Sequence, residues 1–136
     1  MGTKPSLENY KEKYGVDGAV ISAVDLIKGI GMLSGMEVIE VEGATGNVDT
    51  NFDGKAKAAI DAFSRGKNYV YIHMEAPDEA GHHGDVETKI KAVELIDEKV
   101  VGPVWKYLES TGEDYNILIM PDHPTPVALK THVKDP

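Results

Sequence analysis

The chain has 136 residues, of which 41% are hydrophobic and 27% charged, a composition that fits one globular domain with a single core. A net charge of −9 argues against nucleic acid as a partner, and the absence of cysteine excludes disulfides, thiolate zinc sites and cysteine nucleophiles. No apolar run approaches the length of a membrane span, and the N-terminus lacks the apolar segment of a secretory signal, so we expect a cytoplasmic protein without a membrane partner.

Strand-like and helix-like runs alternate along the first half of the chain. After a polar entry segment with room for one short helix, the expected elements are a strand over 19–24, a helix from its N-cap Asp25 to about Leu33, a strand over 37–41, a loop over 43–53 and a helix over 54–63. This alternation predicts an α/β fold with a mostly parallel sheet and helices on both faces.

The second half continues the pattern. Its expected elements are a strand over 69–74, a loop dense in charge and histidine over 75–84, a helix from Asp85 to about Ser110, a strand over 116–120 and a loop over 121–136. The pair Gly102-Pro103 predicts a kink in the long helix. A sheet whose last strand opens into such a loop suggests truncation at one or both ends, and its exposed edges predict self-association.

All five histidines of the chain fall in two polar segments that each follow an expected strand. The first segment runs from His73 to Asp85, and the second runs from Pro121 to His132. Because the carboxyl ends of neighbouring parallel strands meet at one edge of a sheet, we expect the two segments to lie side by side. Aspartate and histidine are the ligands of zinc or manganese where thiolates are absent, so the sequence predicts a metal site.

Five side chains in these segments are the candidate metal ligands: Asp78, His82, Asp122, His123 and His132. Asp78 and His82 are four residues apart, so a single turn of backbone aims both at one ion. Asp122 and His123, on an irregular loop, could serve one ion, or one of them could bridge towards a second. An isolated pair of this kind is more often a solvated surface pair or a capped turn, and it is the conjunction of five that favours a metal.

Other polar residues receive weaker interpretations. His73 lies inside the strand pattern, which favours a hydrogen-bonded core histidine or one that orients a metal ligand, and His83 is expected to face solvent. The Gly43–Gly46 loop follows a strand and precedes a helix, a context that suits phosphate binding, although a plain structural turn is the commoner case. The candidate substrate contacts are Lys28, Thr45 and Lys55.

A catalytic nucleophile is harder to find in this sequence. Covalent phosphoryl transfer needs an activated serine or threonine beside the metals. None of the hydroxyl residues lies in a strand-to-helix loop in the company of metal ligands, and Thr45 comes nearest to that description. We therefore expect no catalytic nucleophile within this chain.

Three segments resemble the archaeal-type cofactor-independent phosphoglycerate mutases of the alkaline phosphatase superfamily. They are His73-Met-Glu-Ala-Pro-Asp-Glu-Ala-Gly-His82, the Gly43–Gly46 loop with Asp49-Thr-Asn51, and Pro121-Asp-His-Pro-Thr-Pro126 with Thr131-His132. The resemblance extends from about Tyr14 to Pro136. It implies that residues 1–136 are the C-terminal portion of a metal-binding phosphatase-like domain, with the N-terminal portion and an inserted domain outside this chain.

The resemblance also implies roles for the candidate ligands. Asp78, His82 and His132 match the three protein ligands of one divalent ion. Asp122 and His123 match two ligands of a second, with manganese or zinc as the ions. The remaining ligands, an aspartate and the nucleophilic serine, would lie upstream.

The implied reaction interconverts 3-phosphoglycerate and 2-phosphoglycerate through a phosphoserine intermediate, a step of glycolysis and gluconeogenesis. We do not expect this chain to run that reaction by itself. Two alternatives stay open at this point. One is another phosphatase, phosphomutase or phosphonate enzyme of the same superfamily, and the other is a non-catalytic metal-binding domain.

Overall fold

A three-stranded parallel sheet forms the centre of the fold. The computed structural model describes Thr3 and residues 5–134. Its strands are β1 (Gly18–Ile21), β2 (Glu37–Val38) and β3 (Tyr69–Ile72), in the order β2-β1-β3. β1 pairs with β3 in continuous register from Gly18 opposite Tyr69 to Ile21 opposite Ile72. Each strand is shorter than expected, but the strands lie where the apolar runs predicted them.

Helices separate the strands and follow the last of them. Those of the described residues are α1 (Tyr10–Tyr14), α2 (Asp25–Leu33), α3 (Phe52–Ser64), α4 (Ala76–His83), α5 (Val86–Ile96) and α6 (Gly102–Thr111). Asp25 is the first residue of α2 rather than its N-cap, because Val24 occupies the cap position and donates its N–H to Ser22 Oγ. Among the described helices, none has the length and apolar character needed to cross a membrane.

Different helices cover the two faces of the sheet. Val20 faces α2, where a Cβ on Gly31 would lie only 2.8 Å from Val20 Cγ2, so glycine permits the close approach. Ile21 points the other way and belongs to the main core with Phe52 and Ala59 of α3. The strand order β2-β1-β3 sends one helical connection to each side of the central strand, and the helices on both faces agree with the prediction.

The long helix expected after Asp85 is present but interrupted. Asp85 Oδ1 caps α5 by accepting from the backbone N–H of Thr88 at 2.9 Å. A π-helical turn over Asp97–Val101 then joins α5 to α6. It ends where the N–H of Gly102 reaches back to the Asp97 carbonyl, and Pro103 next to it has no N–H to donate. The structure thus places the irregularity immediately before the Gly-Pro pair.

The expected loop over 75–84 is wrong, because these residues form helix α4. Pro77 lies in its first turn, and Gly84 ends it in the left-handed conformation with φ of 72°. Both are ordinary start and stop signals of a helix. The density of charged residues and histidines in this short segment hid those signals.

The expected fourth strand over 116–120 is also wrong for the described part of the chain. The segment is not paired with β1, β2 or β3. Leu118 is 82% exposed and Met120 is 66% exposed. A strand needs a neighbour that satisfies its backbone N–H and C=O groups, and the described strands offer none beside this segment.

Candidate metal centre

Helix α4 places Asp78 and His82 on one face, one turn apart. Asp78 Oδ2 lies 3.4 Å from His82 Nε2. The helix starts just after β3, so both side chains lie at the carboxyl edge of the sheet, where the sequence predicted a site. The four-residue spacing that suggested a shared ion therefore acts through a regular helix rather than an irregular loop.

The loop after α6 brings His132 to the same point. Its Nε2 lies 3.3 Å from Asp78 Oδ1 and 3.0 Å from His82 Nε2. Asp78, His82 and His132, the ligand triad, thus converge from two segments that are far apart in sequence. Each of the three offers a ligand atom within 4.8 Å of the others.

The spacing of the ligand triad fits a small divalent cation. Four ligand atoms arranged tetrahedrally about an ion at roughly 2.1 Å are separated from one another by about 3.4 Å. The two imidazole Nε2 atoms lie 3.0 Å apart, and Asp78 approaches them through both carboxylate oxygens, with Oδ1 at 3.3 Å from His132 and Oδ2 at 3.4 Å from His82, so the separations are of this order. This 3.0 Å contact is a hydrogen bond when one Nε2 carries a hydrogen; when neither does, the two lone pairs repel and a bound cation removes the repulsion.

The backbone of the last loop orients His82 for such a role. His82 Nδ1 is 3.1 Å from the carbonyl oxygen of Lys130 and can donate to it, which leaves the Nε2 lone pair directed at the triad. Lys130 has φ of 56°, in the left-handed region that residues other than glycine rarely adopt. Its N–H donates to the Pro126 carbonyl at 2.9 Å, so a closed turn holds this unusual conformation.

Thr125 connects the triad to the surrounding helices. It is buried, and its hydroxyl donates to Asp78 Oδ1. Its carbonyl accepts from Lys89 Nζ of α5 at 2.8 Å. A Cβ on Gly81 would lie 2.5 Å from that carbonyl oxygen, so a glycine is needed for α4 to pack this closely. Thr125 was not predicted as a functional residue from the sequence, although it lies in the Pro121–Pro126 segment only two residues after the candidate ligand His123.

The charge state of Asp78 follows from these neighbours. Burial on its own raises the pKa of the Asp78 carboxyl. The Thr125 hydrogen bond and the three surrounding histidines outweigh burial and hold the pKa below its ordinary value. The carboxylate is therefore ionised near neutral pH, as a cation ligand has to be.

Asp122 and His123 lie beside the triad. His123 Nδ1 is 3.9 Å from Asp78 Oδ1, and its ring centroid is 3.8 Å from that of His132. Asp122 Oδ2 is 3.6 Å from His123 Nε2, and Asp122 Oδ1 accepts from the His123 backbone N–H. The pair borders the triad but offers only two side chains to a further ion.

The two candidate lysines have different surroundings. The Lys28 ammonium lies 3.0 Å from a carboxylate oxygen of Glu40, and this hydrogen bond raises the pKa of Lys28. Lys55 is only 1% exposed, and its Nζ donates to the His73 carbonyl at 3.5 Å. Burial lowers the pKa of Lys55. Lys28 is thus engaged with carboxylate, and Lys55 lies inside the protein.

Thr45 helps to shape the loop over 43–46. Its hydroxyl donates to Asp49 Oδ1 at 2.8 Å, and its backbone N–H donates to Thr50 Oγ1 at 2.9 Å. A Cβ on the neighbouring Gly46 would lie 2.6 Å from Glu75 Oε2. The loop therefore touches the residue that precedes α4, but a contact of Thr45 with substrate stays a prediction.

The two remaining histidines are placed as the sequence suggested. His73 is half-buried, and its Nδ1 lies 3.2 Å from Ser22 Oγ at the ends of β3 and β1. Burial lowers the pKa of His73, partly offset by nearby carboxylates. His83 is exposed on α4.

Similar proteins are known for the whole of this chain. The chain is 53% identical over all 136 residues to a 2,3-bisphosphoglycerate-independent phosphoglycerate mutase of Methanosarcina acetivorans, and 55% identical to one of Methanothrix thermoacetophila. A protein of Geobacter sulfurreducens described as a probable member of the same class is 54% identical over 99% of the chain. The chain spans about a third of the length of these relatives, 33 to 34%.

A solved structure and a family model agree with these relatives. The structure of the PH0037 protein from Pyrococcus horikoshii superposes with a TM-score of 0.80 at 28% identity, covering 96% of this chain and 39% of that one. The family model described as the Metalloenzyme superfamily matches residues 2–136. The chain therefore belongs to the Metalloenzyme superfamily, in keeping with divalent-metal binding by its clustered aspartate and histidine side chains.

Proposed function

We propose that this chain forms the metal-binding part of a phosphoglycerate mutase that interconverts 3-phosphoglycerate and 2-phosphoglycerate without 2,3-bisphosphoglycerate. The observation that carries the proposal is the convergence of Asp78, His82 and His132 at the carboxyl edge of the sheet. The identity of 53 to 55% to relatives that bear this name supports the choice of reaction.

The candidate ligands divide between two divalent ions. Asp78, His82 and His132 would hold one ion, and Asp122 with His123 would contribute to a second. Manganese and zinc both suit oxygen and imidazole ligands. When bound, such ions attract the phosphoryl oxygens and stabilise the charge that develops during transfer.

Two neighbouring groups, one side chain and one backbone carbonyl, would orient the metal ligands. Thr125 fixes the Asp78 carboxylate, and the Lys130 carbonyl fixes the His82 ring. A net charge of −9 does not prevent binding of an anionic substrate, because the ions reverse the local field. We do not assign the nucleophilic serine to this chain.

The three candidate substrate contacts are supported unequally. Thr45 is the best placed, since its loop touches Glu75 just before α4. Lys28 would have to leave its ion pair with Glu40, and the burial of Lys55 favours an internal role over direct contact with phosphoglycerate.

Calorimetric titration of the chain with Mn²⁺ or Zn²⁺ tests the ligand triad. We expect Asp78→Ala and His82→Ala each to abolish the tightest binding event, because each removes one of three ligands. His83→Ala is the matched control, since His83 is exposed on the same helix. Equal losses in all three variants would contradict the ligand assignment.

A chimera tests the reaction. Residues 1–136 would replace the matching third of the Methanosarcina acetivorans relative, to which they are 53% identical. We expect the chimera to form 2-phosphoglycerate from 3-phosphoglycerate in a metal-dependent reaction, and an enolase-coupled assay detects the product. The same chimera with Asp78→Asn should lose this activity. A folded, metal-loaded chimera that only releases phosphate from a simple phosphate ester would favour a phosphatase. One without activity on either substrate would favour a non-catalytic domain.

A further inference from the structure

Ser22 and His73 form a pair across β1 and β3 at the carboxyl edge of the sheet. The ladder pairs Val20 with Tyr71 and Ile21 with Ile72, and the His73 N–H continues it by donating to the Ile21 carbonyl at 2.8 Å. Side chains alternate along a strand, so His73 points to the same face as Tyr71, away from the main core. The two rings are nearly parallel, at 18°, with centroids 6.2 Å apart.

The hydrogen bonds of Ser22 set the tautomer of His73. Ser22 is only 3% exposed, and its Oγ accepts from the Val24 N–H at 2.9 Å. Its own proton needs an acceptor, and His73 Nδ1 at 3.2 Å is the acceptor within reach among the described residues. Nδ1 therefore accepts, and Nε2 carries the hydrogen of the neutral ring.

The Nε2–H of His73 has no hydrogen-bond partner in the described part of the chain. Every fully buried side-chain nitrogen or oxygen in that part of the chain has a hydrogen-bond partner. Because Nε2 has none, it is accessible to solvent. Burial lowers the pKa of His73 by more than the nearby carboxylates of Glu75, Asp122 and Asp78 raise it, which keeps the ring neutral. An oriented, uncharged donor thus lies at the carboxyl edge of the sheet, the edge that also bears the candidate ligands.

We propose that His73 contacts the phosphorylated ligand, donating its Nε2–H to a phosphoryl oxygen held at the metal centre while Ser22 orients the ring. The proposal rests on the metal site of the proposed function. An oxyanion is the fitting acceptor, because it can approach the acidic surroundings of His73 once cations are bound there. A neutral imidazole gives it a directed hydrogen bond without competing for the cations.

Two substitutions separate the two nitrogens of the ring. His73→Asn keeps an acceptor near the Nδ1 position for Ser22 but lacks the distal donor. His73→Gln can place an amide N–H near the Nε2 position. Inorganic phosphate is the probe, and its affinity for the Mn²⁺-loaded chain is measured from the ³¹P relaxation that the bound ion causes. Mn²⁺ affinity is measured separately by calorimetry.

We expect His73→Asn to weaken phosphate binding about tenfold, the size of one hydrogen bond to a charged group. His73→Gln should retain most of the affinity, and Ser22→Ala should cause an intermediate loss because the ring is no longer oriented. Mn²⁺ affinity should stay unchanged in all three variants. His83→Asn, on an exposed histidine, should change neither measurement.

Other results would overturn the proposal in distinguishable ways. Equal phosphate affinities for wild type and His73→Asn would remove His73 from the ligand contact. A loss of Mn²⁺ affinity matching the loss of phosphate affinity would make His73 a positioning residue for Asp122 or Asp78 instead. Failure of the Mn²⁺-loaded wild type to bind phosphate would refute the contact and leave the metal site standing. Failure to bind Mn²⁺ at all would refute the metal site itself.

Discussion

Replacing Gly81 with alanine should separate the two segments that form the ligand triad. A Cβ at this position would lie 2.5 Å from the Thr125 carbonyl oxygen, whereas an ordinary carbon–oxygen contact is about 3.3 Å. Helix α4 and the loop around Thr125 must therefore move apart by roughly 0.8 Å. Asp78 and His82 lie on the helix and His132 lies on the loop, so this movement stretches the site.

The size of the effect follows from the tolerance of metal sites. Ligand distances in proteins hold to about 0.2 Å, so a displacement of roughly 0.8 Å should weaken Zn²⁺ or Mn²⁺ binding by at least about tenfold. The stability of the metal-free protein should change less. Alanine gains about 1 kcal/mol over glycine inside a helix, which partly offsets an overpacking cost of about 1–3 kcal/mol.

Gly29→Ala is the matched control for Gly81→Ala. Gly29 also lies inside a helix, α2, but a Cβ there would meet no atom within 4 Å. We expect this variant to gain up to about 1 kcal/mol in unfolding free energy and to keep its metal affinity. Calorimetric metal titration and urea unfolding measure the two quantities. If both variants bind metal as tightly as the wild type, the close packing of α4 on Thr125 does not determine the site.

Three further perturbations test other contacts. Thr125→Val removes the hydroxyl that donates to Asp78 and should weaken metal binding about tenfold in calorimetry, whereas an unchanged affinity would leave Thr125 only a packing role. Hydrogen bonds from Thr88 lower the pKa of the Asp85 carboxyl in the folded state, so its contribution to stability is present above its unfolded-state pKa and is lost as pH falls through the lower folded-state value. Asp85→Ala should therefore lower the melting temperature at neutral pH, and the difference should shrink as pH falls below the folded-state pKa of Asp85; a difference of undiminished size there would contradict this reasoning. Self-association through exposed sheet edges stays a prediction; Leu118 is 82% exposed outside the sheet, and if this apolar segment also takes part, Leu118→Lys should shift sedimentation towards monomer, whereas a wild type that stays monomeric at all concentrations would refute self-association.

The order of strands and helices from β1 to β3 is readable from local sequence. The apolar run that begins at Ala19 is long enough for a buried strand and too short for a helix, and it forms β1. The alanine-rich segment after Gly54 has strong helix propensity and forms α3. The separate histidine segments follow from the same argument, because each comes after an apolar run. Local patterns were sufficient to predict these elements, because strand and helix propensities depend on residues only a few positions apart.

Other features needed the tertiary structure. The Pro77 and Gly84 signals of α4 were outweighed by the charged residues between them, and the helix became evident only from its packing on α5 and on Thr125. The sequence made Lys55 a candidate substrate contact, yet its side chain is only 1% exposed and lies beside the His73 carbonyl. Burial depends on which element packs against a side chain, and local sequence does not contain that information.

For the ligand triad too, some features follow from residue type and others only from the fold. Residue types alone identify the side chains that can bind a cation, because aspartate and histidine carry that chemistry wherever they lie. The fold brings together His82 and His132, which are 50 positions apart in sequence, with their Nε2 atoms 3.0 Å from each other. The fold also places the Thr125 hydroxyl against Asp78 and the Lys130 carbonyl against His82, and these two contacts hold the ligands in place. Contacts between distant segments depend on how the whole loop closes over the sheet edge, whereas ligand chemistry depends on the side chain alone.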